Sequence, residues 1–170
     1  MAKKIVDYRE QVAKVVKAFE ESRVLLVGQG MGGNANVMAI GWGAIGIFWR
    51  KPLLVITVRP TRHTYGLIEE TKEFTVNIVP PELKEVVQYC GSVSGREHNK
   101  FQEKNLTPVP STKVKPPLIK EGILHFECRV IHKNDLDPEG MAESMVSQFY
   151  PKRDFHHMYF GEILACHEEV

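Results

Sequence analysis

Cysteine is scarce in this chain. Cys90, Cys128 and Cys166 are the only three among 170 residues. They are odd in number, far apart and without a CxxC pair, which excludes a disulfide framework and fits a reducing, cytoplasmic setting. Net charge is nearly absent as well, with 22 Lys and Arg against 21 Asp and Glu. A protein that grips nucleic acid by neutralising phosphates carries a large basic excess, so no nucleic-acid partner is expected. A long unbroken apolar run is also missing. Val24–Trp49 carries no charge, yet seven glycines together with Gln29, Asn34 and Asn36 divide it. The pieces fall short of the roughly 20 apolar residues of a bilayer helix. The run reads as two buried strands, and no membrane span is expected. Met1–Glu10 turns polar within a few residues, so no secretory leader is expected either.

What is present describes a globular chain: 43% hydrophobic and 25% charged residues, in a length that suits one domain over 1–170. Tyr8, Val12, Val15, Val16 and Phe19 recur at helical spacing, and Asp7 with Glu10 fits a capping box, which predicts a helix over 7–22 packing on the remainder. Val24–Val27, Val37–Ile47, Leu53–Val58, Phe74–Val79, Ile123–Ile131 and Met158–Cys166 read as strands. The second contains glycines that suit bends or bulges better than a helix. In the fifth, Leu124, Phe126, Cys128 and Val130 share one face. Short helices are expected over Thr64–Lys72, Glu82–Tyr89 and Glu97–Lys104, an inserted one over Pro138–Phe149, and an extended Pro-rich loop over Thr107–Pro117. Regular strand–helix alternation is missing. The expected class is therefore mainly β with peripheral helices, an antiparallel barrel.

Familiar catalytic patterns fail on their geometry. Gly28, Gly30 and Gly33 match G-x-G-x-x-G after a strand, but no helix follows, and Trp49, Arg50 and Lys51 stand where an acidic ribose ligand belongs. A flexible turn is the better reading. His125 with Cys128, Cys166 with His167, and His156 with His157 each splay to opposite faces of a strand, so no metal site is expected. No G-x-S-x-G is present. The segment Arg59-Pro-Thr61-Arg62-His63-Thr64-Tyr65 is more informative. It joins a buried strand to a helix start and offers guanidinium groups, hydroxyls and free backbone N–H groups to a phosphate monoester.

Read outward from that segment, the order of signatures resembles the flavin reductase-like family of FMN-binding split barrels, which includes flavoredoxin. The matching pieces are Asn36-Val-Met-Ala39-Ile-Gly-Trp42, Lys51-Pro52 leading into LLVITVRPTRHTYGLI, EFTVNIV, CGSVSGREHNKF with LTP, ILHFECRV and HHMYFGEI, from about residue 24 to 165. The resemblance implies a Greek-key split β-barrel that binds FMN, in preference to FAD, with NAD(P)H as co-substrate. It implies that Asn36, Val37, Met38, Ala39 and Trp42 line the flavin ring, and that Arg59, Thr61, Arg62, Thr64 and Tyr65 hold the phosphate. Lys100 would lie near the flavin, across a dimer interface in many relatives, and His156 near the nicotinamide or substrate as the catalytic candidate. The implied activity is an NAD(P)H-dependent flavin reductase working as a homodimer, or alternatively a flavoredoxin-like electron carrier with a redox protein partner. Asn99 stands where the family often has Asp, and Phe155-His156-His157 where relatives commonly carry Gly-Asp-His.

Overall fold

A computed structural model describes residues 3–169. Its elements in chain order are β1 (Lys3–Ile5), α1 (Val12–Glu20), β2 (Val24–Gln29), β3 (Ala35–Ala39), β4 (Gly43–Phe48), β5 (Lys51–Val58), α2 (His63–Thr71), β6 (Glu73–Ile78), α3 (Lys84–Ser92), α4 (Lys100–Glu103), β7 (Pro108–Val109), β8 (Leu118–Ile119), β9 (Leu124–Asp135), α5 (Glu143–Phe149) and β10 (His157–Glu169). One antiparallel sheet runs in the order β3-β2-β6-β9-β10-β5-β4, with β1 paired to β10; β7 and β8 form a separate two-stranded ladder.

The connection from β3 to β4 decides the shape. These strands lie at opposite ends of the sheet, yet only Ile40–Trp42 join them. Such a link reaches about 14 Å. Across a flat sheet the same strands would stand about 29 Å apart. The sheet therefore curls until its two edges are neighbours, a barrel with an unpaired seam between β3 and β4.

Two apolar layers hold it. Val24, Leu26, Ile56, Phe74, Phe126 and Tyr159 fill the barrel, whereas Leu25, Val27 and Val37 pack outward with Val87 and Cys90 of α3. Covered on both faces, β2 reads as a continuous apolar run rather than an alternating one. The β2–β3 turn is the glycine segment. Gly30 donates to the Asn34 carbonyl, and Gly33 adopts φ +85, a conformation that favours glycine.

Some expectations are corrected. The helix over 7–22 is a 3-10 turn (Tyr8–Gln11) followed by α1, and Asp7 accepts from Arg9 N–H rather than closing a capping box with Glu10. Val12 and Val16 of the expected stripe are exposed. The strand over Val37–Ile47 is two strands broken at the seam. Nor is the second of them buried: most of β4 lies at the surface, because it is a sheet edge. Finally, the Pro-rich loop is tied down. Buried Glu127 on β9 accepts from Thr112 N–H and Oγ1, from Lys113 N–H, and shares a 2.6 Å hydrogen bond with His167 Nε2.

Candidate functional site

A cavity of about 550 Å³ opens at the seam. Three pieces of chain wall it: the β3 end with its link (Asn36, Met38–Trp42), the segment from the β5 end to the α2 start (Thr57, Arg59, Thr61–Thr64), and the α3–α4 connection (Cys90, Gly91, Val93–Gly95, Lys100). His156 completes it. The link wall has no charged side chain, while Arg62 brings positive charge from the start of α2. Helix α2 starts at Arg62 without a side-chain cap, so the first-turn N–H groups of His63 and Thr64 have no acceptor within the helix. The positive end of the helix dipole adds to this cationic corner.

The floor is polar, buried and tightly fitted. Asn36 Nδ2 donates to Thr64 Oγ1 at 2.9 Å, and Lys100 Nζ donates to the Cys90 carbonyl at 2.7 Å. A Cβ on Gly95 would overlap the Asn36 amide, so a side chain there would displace that amide from its place on the floor. Burial lowers the Lys100 pKa, and Arg62 lowers it further. The His63 pKa is lowered as well, by burial and then by Arg96 and Lys100. Burial raises the Cys90 thiol, which stays protonated and carries no nucleophile into the cavity.

The structure brings together Asn36, Met38, Ala39, Trp42, Arg59, Thr61, Arg62, Thr64, Lys100 and His156. Two expected residues lie elsewhere. The Val37 side chain alternates to the outer face and packs in the α3 layer. Tyr65 turns away on α2, where its hydroxyl lies 3.1 Å from His157 Nδ1 and 3.3 Å from Lys133 Nζ. Arg59 is also not the free cation expected of a phosphate anchor. It ion-pairs with Asp154, and its Nη2 donates to the Phe149 carbonyl at 3.2 Å. The arginines paired to carboxylates among the described residues are Arg9, Arg23, Arg59 and Arg129, which leaves Arg62 and Arg96 unpaired at this end. Arg96 instead donates to the Thr61 carbonyl at 3.0 Å.

His156 sits under an aromatic cover. Its ring lies 4.8 Å from Trp42, which meets Phe149 edge-on at 5.3 Å. The Tyr150 hydroxyl reaches His156 Nδ1 at 2.7 Å. Burial, then Arg59, pushes the His156 pKa down to about 4. Sequence reasoning missed His63, Val93, Ser94 and Gly95. The last three belong to the segment that had yielded only Lys100, and His63 stands between two residues already singled out.

A family description, flavin reductase like domain, matches residues 20–169. The chain belongs to this family. As a flavin reductase-like protein it is 34% identical over 123 residues to an uncharacterized protein of Archaeoglobus fulgidus, covering 72% of this chain and 68% of that one. Among solved structures, the flavoredoxin of Desulfovibrio vulgaris aligns with TM-score 0.69 and 25% identity, over 86% of this chain and 68% of its own. The flavoredoxin of Methanosarcina acetivorans aligns with TM-score 0.66 and 28% identity, over 87% and 69%. The fold of this flavin reductase-like chain is the mainly β, antiparallel split barrel expected. Among the described residues, no helix is long and apolar enough to cross a membrane.

Proposed function

We propose that the cavity holds FMN, in preference to FAD, and that the protein is an NAD(P)H-dependent flavin reductase-like oxidoreductase of a reducing compartment. One observation carries this reading: a charge-free wall and a cationic helix start line a single cavity. The wall from Met38 to Trp42 suits a flat aromatic ring system, which loses little on leaving water for an uncharged surface. Asn36 and Lys100 present donors from the floor to the polar edge of such a ring. Arg62, Thr61 and the His63 and Thr64 N–H groups would hold the phosphate. Arg59 is held by Asp154 and shapes the rim instead. When bound, FMN would supply the hydride-accepting and electron-donating chemistry, for which the protein needs no nucleophile of its own.

A flavin titration tests the reading. The wild type is expected to bind FMN, Arg62→Ala to lose ten- to a hundredfold in affinity, and Arg59→Ala to lose less. A wild type that takes up no FMN overturns it.

The likeness to two flavoredoxins favours a second reading, an electron carrier that exchanges electrons with a redox protein. Rapid flavin bleaching on mixing with NADH or NADPH supports the reductase. Slow bleaching with fast oxidation by a redox protein supports the carrier. In either case a homodimer is proposed, because β4 leaves Ile47 and Phe48 exposed on an edge strand without a charge between Gly43 and Phe48.

A further inference from the structure

We propose that Tyr150 is a positioning residue: it locks His156 as a neutral ring whose Nε2–H faces the cavity, a donor for an uncharged oxygen of the substrate such as a carbonyl or carboxamide. The tautomer follows from this chain's own geometry; only the naming of a substrate rests on the flavin reading.

Residues 136–156 loop out between β9 and β10 and return to their starting point. Asp135 and His157 are cross-strand neighbours, and Leu136 N–H donates to the His156 carbonyl at 3.2 Å. Tyr150 is 3% exposed, and its hydroxyl lies 2.7 Å from His156 Nδ1, its side-chain hydrogen-bond partner among the described residues. A buried phenol has a proton to place, and Nδ1 is the acceptor within reach. Nδ1 therefore carries the lone pair and Nε2 the proton, which leaves Nε2–H as the ring's remaining polar group.

The loop is pinned where it matters. Arg59, at the end of β5, ion-pairs with Asp154, donates to Phe149 and lies 5.4 Å over the Tyr150 ring. Phe155 stacks on Tyr150 at 4.7 Å, and Trp42 closes on His156 from the seam. The charges facing the imidazole are Arg59, Arg62 at the start of α2, and Asp154 on the loop. Burial and the two cations disfavour the imidazolium, and Asp154 alone favours it. His156 then stays neutral between pH 5 and 8, a hydrogen-bond donor rather than an acid.

Nitrogen NMR of histidine-labelled protein across that pH range reads the state directly. The wild type is expected to show an unprotonated Nδ1 and a protonated Nε2 throughout. Tyr150→Phe removes the donor that fixes the lone pair on Nδ1, so both tautomers appear across that range. A protonated Nδ1 in the wild type, or a tautomer ratio unmoved by Tyr150→Phe, overturns the proposal. If Tyr150→Phe fails to fold, the wild-type spectrum decides alone. FMN titration of the same proteins reads the flavin assignment separately, since the tautomer is measured without flavin.

Discussion

Asn36 shows at the scale of one residue how little room the cavity floor leaves. Its amide is held by Thr64 on one side and faces the bare Cα of Gly95 on the other. Gly95→Ala is expected to drive the amide off Thr64, to weaken FMN binding about tenfold, roughly 1.4 kcal/mol, and to lower the melting temperature by a few degrees, because the lost hydrogen bond is buried. Calorimetric titration beside a thermal melt separates the two effects. Asn36 and Lys100 were legible as site residues from the family-like segments that carry them. Their partners were not, since Thr64 lies 28 residues from Asn36 and the Cys90 carbonyl has no side-chain signature.

Among the elements, the Pro-rich strap between β7 and β8 depends on one carboxylate. Burial by itself would raise the Glu127 pKa, but the Thr112 and Lys113 N–H groups and the His167 ring outweigh it and hold the group below its ordinary 4.5. A depressed carboxyl stabilises the fold above its unfolded value, and that contribution is lost as pH falls through the folded value. Glu127→Gln turns a donor toward those N–H groups and is expected to cost about 3 kcal/mol at neutral pH. The deficit should shrink below pH 4, which urea unfolding at several pH values measures. A pH-independent deficit would show that shape, not charge, ties the strap. The strap reads from sequence only as an extended loop, because its prolines are visible locally while its anchor lies 15 residues on, in another element.

For the whole molecule, curling of the sheet creates the site and also leaves an edge open. Closing β3 toward β4 opens the cavity at the seam, and it leaves β4 with paired hydrogen bonds on one side only. Ile47, Phe48 and Trp49 are each more than half exposed there. Ile47→Lys is expected to shift a dimeric wild type to monomer in sedimentation velocity, since a charge desolvated at that edge opposes pairing. A wild type that sediments as a monomer sinks the dimer.

Composition and periodicity alone determined the antiparallel mainly β class, the strands β2, β5, β6 and β9 and the helix α2, because these patterns repeat within a few residues. The charge-free segment and the cationic segment after Val58 were equally plain in the chain. Tertiary structure decided that these two segments line one cavity, that Val37 and Tyr65 point elsewhere, and that Arg59 belongs to Asp154, 95 residues away. Such pairings depend on how far the sheet curls and where its inserted loop returns, and that is set by the packing of the whole barrel rather than by any neighbouring residue.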